Sequence, residues 1–286
     1  MEAKPIKLIE CPRDAMQGIH HFIDTDLKAR YINLLLQVGF DTIDFGSFVS
    51  EKAIPQLRDT KEVLDKLDLS KTNAKLLAIV ANIRGAEAAI LHEEISYLGF
   101  PFSISETFQR RNTNSTIEES METVKRMLEL CDISGKQAVV YLSMGFGNPY
   151  GDEWSEEIVA HWANELVNAG AGILALSDTT GVSTPQKIKQ ILPGLIREFA
   201  STEIGVHLHS TPETRLEKIE AAYEVGCTRF DSALKGFGGC PMAADDLTGN
   251  MATEDLIGFL NNRGASLNLN MDKFKEAMLL SQQVFL

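Results

Sequence analysis

The feature that most restricts the fold is a recurrence. Eight times along the chain, a short β-branched or apolar run is followed by an amphipathic stretch. The runs are Ile6–Glu10, Thr42–Phe45, Lys75–Val80, Ile95–Phe100, Ala138–Ser143, Gly172–Leu176, Glu203–His207 and Thr228–Asp231. Runs of this length alternating with helical patterns predict parallel strands joined by helical crossovers. Several helix starts are legible. Thr116 and Glu119 form a capping box ahead of Met121, Val124 and Leu128. Thr184 precedes Pro185 as a cap before a first-turn proline, and Thr211 with Pro212 repeats the device. Thr253 is placed to cap a run with Glu254 and Asp255 in its first turn.

Eight units in 286 residues are roughly 36 residues each, close to the spacing of a (β/α)8 barrel of about 250 residues. A doubly wound open sheet would usually carry a Gly-rich phosphate turn after its first strand. Here that turn reads Cys11-Pro12-Arg13-Asp14. The expectation is therefore an α/β chain folded as a (β/α)8 TIM barrel, one catalytic domain over residues 1–286. A last amphipathic stretch at about 271–286 adds a C-terminal helical segment.

Charge narrows the function classes. With 27 basic and 40 acidic residues, a net charge of -13 argues against nucleic acid or an anionic membrane as partner. No apolar run reaches the ~18 residues of a membrane span. The chain enters an apolar run within its first ten residues, so a leader peptide is not expected and a cytoplasmic protein is. Cysteines 11, 131, 227 and 240 show no CxxC spacing and read as free thiols.

A barrel gathers polar residues at the carboxyl ends of its strands. Those residues are Arg13 and Asp14 after strand one, Asp44 in strand two, and Tyr141 and Ser143 in strand five. Asp178 follows strand six, His207 and His209 end strand seven, and Asn250 follows strand eight. Alternate residues of a strand share a face, so His207 and His209 can reach one cation. With Asp14 and Asn250 at the same mouth, the donor set suits Mn²⁺ or Mg²⁺ and admits Zn²⁺ or Co²⁺. Arg13 beside Asp14 reads equally as an ion pair and as a fixed cation facing developing charge. Cys240, after glycines 236, 238 and 239, reads either as a turn residue or as a proton donor on a loop over the mouth. Arg110 and Arg111 read as solvated loop charges or as the local cationic spot an acidic protein needs to hold phosphates.

These residues resemble the 3-hydroxy-3-methylglutaryl-CoA lyase family, within the TIM-barrel metal-dependent lyases and acyl-CoA-dependent synthases. The motifs are IECPRDAMQ (9–17), IDFGSFVS (43–50), NSTIEES (114–120), LSDTTGV (176–182), VHLH (206–209) and GFGGCPMAADDLTGNMATEDL (236–256). The resemblance implies a homodimeric enzyme of leucine degradation and ketone-body metabolism with an acyl-CoA substrate. It implies a divalent cation, Mg²⁺ or Mn²⁺, and no organic cofactor. By position, Asp14, His207, His209 and Asn250 would be the metal ligands. Arg13, Asp14, Asp44, His207 and Cys240 would be catalytic, and Gln17, Tyr141, Asp178, Arg110 and Arg111 substrate-binding. The reaction implied is retro-Claisen cleavage; a Claisen-type synthase, a lyase for a related 3-hydroxyacyl-CoA and an inactive relative are the alternatives. Three departures mark a divergent member. Ala15 stands where the family usually has Gly, Asp44 where it has Glu, and Ser210 where it has Asp.

Overall fold

The computed structural model describes residues 5–239 and 248–286. Eight parallel strands close into a barrel in chain order, with β8 hydrogen-bonded back to β1. They are β1 Lys7–Glu10, β2 Thr42–Ser47, β3 Lys75–Ile79, β4 Ile95–Ser103, β5 Gln137–Ser143, β6 Ile173–Asp178, β7 Glu203–Leu208 and β8 Arg229–Ser232. All eight expected runs are strands, within a few residues at each end.

The helices are α1 Pro12–Gln17, α2 Thr25–Leu36, α3 Thr60–Leu64, α4 Ile83–Ala89, α5 Glu106–Thr113 and α6 Ile117–Ser134. They continue as α7 Glu156–Asn168, α8 Pro185–Glu198, α9 Arg215–Glu224, α10 Thr253–Asn262 and α11 Met271–Phe285. The larger apolar core lies between barrel and helices, because each strand turns alternate residues outward onto the amphipathic helix faces. A smaller cluster, Leu77, Ile79, Val139, Tyr141, Ile173 and Ala175, fills the barrel. Arg229 also lies wholly inside, where Gly205 makes room: a Cβ there would stand 2.8 Å from the Arg229 stem. Among the described residues, no helix is long and apolar enough to cross a membrane.

The Thr116 capping box and the Thr184 cap form as expected. Two other starts differ. Thr211 and Pro212 make a turn closed by Thr214, and α9 begins only at Arg215. Thr253 is not a cap. It is the first residue of α10, and its hydroxyl donates to buried Glu10 in β1 instead. The last helix, α11, packs on α2. Phe285 meets Tyr31 edge-on at 5.7 Å and stacks on Phe237 at 4.5 Å, so the chain end reaches the loop after β8.

Candidate active site

Asp14 lies in the first turn of α1, a short helix that Pro12 starts directly after β1. Its carboxylate is almost fully partnered. Oδ1 accepts from Arg13 Nη1 at 2.9 Å and Gln17 Nε2 at 2.7 Å, and Oδ2 accepts from Asn250 Nδ2 at 2.7 Å. Burial opposes ionisation of Asp14. Arg13, His207, His209 and the Asn250 amide outweigh it and hold the carboxyl below its ordinary value.

Arg13 is gripped from the opposite side by Asp44. Nε donates to both Asp44 oxygens at 3.1 and 3.0 Å, Nη2 donates to Oδ2 at 2.5 Å, and Nη1 also reaches Gln17 Oε1 at 2.9 Å. Four of the five guanidinium hydrogens are thereby committed. The second Nη2 hydrogen has no acceptor among the described residues, and Arg13 lines the cavity at the mouth. The shorter Asp44 side chain thus still reaches Arg13, although burial pushes its pKa up to about 6 against the pull of that cation. Ala15 sits in the helical turn of α1, its amide donating to the Cys11 carbonyl, so this position needs no glycine.

His207 closes β7. Its Nδ1 lies 3.2 Å from Asp231 Oδ2 on β8, which leaves Nε2 for the mouth. Burial works against protonation, but Asp231 and Asp14 prevail and raise the His207 pKa. Burial and neighbouring His207 lower His209 to about 4. Neither buried nitrogen of His209 meets a hydrogen-bond partner of ordinary geometry, although the Thr179 backbone is near enough to act on its titration. A neutral buried imidazole with both nitrogens unmet calls for a physical reason. The ligand atoms of Asp14, His207 and His209 all lie within 4.8 Å of one another. One carboxylate and two imidazoles fit a divalent cation, which would take one of the stranded His209 nitrogens and leave the other to the nearby Thr179 backbone. Asn250 completes the group through its contact with Asp14 and its antiparallel bridge to His209. Gly238 (φ +103) lets the loop after β8 close this side, since a Cβ there would lie 2.6 Å from Asn250 Nδ2.

The cavity encloses about 140 Å³, a few waters' worth of space. Its wall divides by strand. Val49, Ala53 and Ile54 after β2, Ile79 at β3, Pro101 in β4 and Phe108 in α5 form an apolar arc. Tyr141 and Ser143 of β5, Ser177 and Thr179 at β6, the two histidines, and Arg13, Asp14 and Gln17 form the polar arc. Asp178 stands apart. It is buried, with its oxygens on Ser183 and Lys218. Arg110 and Arg111 lie outside the cavity in the last turn of α5, Arg110 paired with Glu106 and Arg111 over the Tyr150 ring at 4.6 Å. Cys240 lies outside the described residues.

Residues 6–280 match the HMGL-like family. The chain belongs to that family. The HMGL-like relatives include the mitochondrial hydroxymethylglutaryl-CoA lyase of Mus musculus, 33% identical over 96% of this chain and 84% of its own length. Another is the cytoplasmic 3-hydroxy-3-methylglutaryl-CoA lyase of Homo sapiens, 34% identical over 95% of this chain and 73% of its own. A solved HMG-CoA lyase of Acinetobacter baumannii, in complex with coenzyme A and 3-methylmalate, superposes with a TM-score of 0.92. It is 30% identical, covering 100% of this chain and 93% of that one. The expected family and barrel are thereby borne out.

Sequence reasoning missed Asp231, Lys218 and Glu10. Asp231 had a signal, a carboxylate at the end of an expected strand, where the barrel gathers its polar residues. Lys218 reads in the sequence as one more exposed helix cation.

Proposed function

We propose that the protein is a divalent-metal-dependent carbon–carbon lyase that cleaves 3-hydroxy-3-methylglutaryl-CoA to acetyl-CoA and acetoacetate. The observation that carries this reading is the convergence of one ligand atom each from Asp14, His207 and His209, with a His209 ring that lacks an ordinary hydrogen bond, at the barrel mouth of an HMGL-like chain. Asn250 would join as the fourth ligand, since a half-turn of its amide presents oxygen where nitrogen now faces Asp14. The ion would be Mg²⁺ or Mn²⁺, and bound there it would act as a Lewis acid that makes an adjacent hydroxyl more acidic.

The acyl group would occupy the cavity, and the CoA nucleotide would lie outside it. Arg110 and Arg111 flank the mouth on α5 and would meet its phosphates. The apolar arc would take the methyl and methylene groups, while Gln17 and Tyr141 would bound the polar end. Asp14 would take the proton of the tertiary hydroxyl, since His207, with Nδ1 on Asp231 and Nε2 given to the ion, would keep no free lone pair. The carbon–carbon bond would then break, its electron pair passing into the thioester as an enolate. Arg13 would donate its uncommitted Nη2 hydrogen to the enolate oxygen, a fixed donor aimed at developing charge. Asp44 would keep the guanidinium in place. Cys240 would return a proton to the enolate carbon. No organic cofactor is required, because the thioester holds the electron pair. We further propose a homodimer and a cytoplasmic location, the curated relatives including both cytoplasmic and mitochondrial enzymes.

The test is a product assay on a panel of 3-hydroxyacyl-CoA thioesters with Mg²⁺ or Mn²⁺. Equal amounts of acetoacetate and acetyl-CoA from the hydroxymethylglutaryl thioester are expected. Turnover of another thioester alone would reassign the substrate, and full activity after exhaustive chelation would remove the metal from the mechanism.

A further inference from the structure

We infer that Lys218 is a positioning residue for His209, fixing this metal ligand through its backbone; the inference rests on the divalent-cation reading of the mouth. His209 lies one residue beyond β7. The β6–β7 ladder ends at the pair Asp178 and Leu208, and the β7–β8 ladder at His207 and Asp231. The ligand therefore stands past the last position that either neighbouring strand holds. Nor does the next side chain hold it, for Ser210 points its hydroxyl at Met251 Sδ, 3.8 Å away.

The segment after β8 brackets His209, the Ser210 amide donating to the Gly249 carbonyl and the Met251 amide to the Leu208 carbonyl, and Lys218 adds from α9 the restraint on the His209 carbonyl itself. Lys218 is buried, and its ammonium spends all three hydrogens on fixed acceptors: the His209 carbonyl at 2.8 Å, the Gly181 carbonyl at 3.0 Å and Asp178 Oδ2 at 3.0 Å. Asp178 is itself locked by the Ser183 amide at 3.1 Å and the Ser183 hydroxyl at 2.5 Å. Lys218 thus ties the end of β7 to the end of β6 and to the turn that follows it. A fully satisfied buried network of this kind sets backbone position, and partners beyond the ligands tune how tightly a site grips its ion. This also gives Asp178 a place in the site without contact to substrate. It neutralises and anchors the lysine.

Mn²⁺ titration of metal-free protein, with free ion read by its paramagnetic resonance signal, tests the inference. Lys218→Met should weaken Mn²⁺ binding about 10–100-fold, the range for lost outer partners of a metal site. Lys136→Met is the comparison. Lys136 is buried just before β5, its ammonium bonded to the His92 and Ile95 carbonyls at 2.7 Å, at the end of the barrel opposite the mouth. It should lose stability while keeping Mn²⁺ affinity within about twofold, since distant sites act independently. Lys218→Met combined with Asp178→Asn removes the stranded carboxylate, and it should regain stability but not affinity. This double variant carries the comparison if the single one does not fold. Wild-type affinity in Lys218→Met, or affinity restored in the double variant, would overturn the positioning role. Absence of Mn²⁺ binding in the wild type is a separate result, which would overturn the cation site and the role with it.

Discussion

At Arg13 the question is why two carboxylates and an amide converge on one guanidinium. A single carboxylate would hold the charge, but it would leave the plane free to rotate. Asp44 on one edge and Asp14 with Gln17 on the other fix the fork and leave one N–H for the cavity. Arg13→Gln should therefore lower kcat by about 10²–10³-fold while Mn²⁺ still binds, the scale for losing one preorganised oxyanion donor. A raised KM with kcat unchanged would make Arg13 a substrate clamp instead. His207 behaves differently, because its two nitrogens serve two masters, Asp231 at Nδ1 and the mouth at Nε2. His207→Ala should lose Mn²⁺ binding and turnover together. Loss of turnover with Mn²⁺ affinity intact would return His207 to the role of base alone.

Two helices extend the site beyond the cavity. The N-terminus of α5 is pinned by Asp152, which accepts from the Ser105 hydroxyl and from the Thr107 amide and hydroxyl. Its far end thus carries Arg110 and Arg111 at a fixed height beside the mouth. Replacing both with Ser should weaken a full CoA thioester more than a short thioester without the nucleotide, as compared by kcat/KM. Equal losses would make the pair solvated charges on α5. At the other end of the chain, Phe285 joins α11 to Phe237, whose carbonyl also accepts from Asn250 Nδ2. Phe285→Ala should cost about 3 kcal/mol in unfolding free energy, the lower range for a buried Phe. A loss well under 1 kcal/mol, within the scatter of surface substitutions, would show the ring stack to be incidental. Element identity was legible in the sequence because alternating apolar periods carry it, and so was the ligand strand, since HxH needs only a two-residue repeat. What escaped are links between elements distant in sequence. Thr253 looked like a cap because Thr before acidic residues usually is one. Its hydroxyl instead answers Glu10, 243 positions away, a demand that no local pattern records. Asp231 and Lys218 escaped for the same reason, Asp231 meeting His207 on β7 and Lys218 meeting Asp178 on β6, 40 positions away.

Across the whole molecule, a barrel must join its first strand to its last, and here that seam holds a buried acid. β1 pairs with β8 from Lys7 opposite Arg229 to Glu10 opposite Ser232. Glu10 then accepts from the Leu234 amide at 2.9 Å and the Thr253 hydroxyl at 2.5 Å, binding β1 to the segments on both sides of the loop after β8. Burial, helped by nearby Glu254 and opposed by those two donors, pushes its pKa up to about 8. The folded state therefore keeps the Glu10 proton over a range in which an unfolded chain releases it. From the ordinary glutamate value up to about 8, the unfolded state binds fewer protons, so stability must fall as pH rises, and it should level off above that point. Asp44, raised to about 6, and His207, also raised, add to this slope, while His209, lowered to about 4, opposes it up to the ordinary histidine value. Glu10→Gln isolates the seam, because it removes only the titration there. The unfolding free energy of the wild type, read from urea titrations, should decline between about pH 5 and pH 8, at up to about 1.4 kcal/mol per pH unit for one such group. The Glu10→Gln variant should decline less steeply, gaining on the wild type as pH rises even if it starts lower for want of the second acceptor. Parallel slopes would mean that Glu10 is already ionised in the folded barrel and that the seam is closed by charge-assisted hydrogen bonds rather than by a neutral acid.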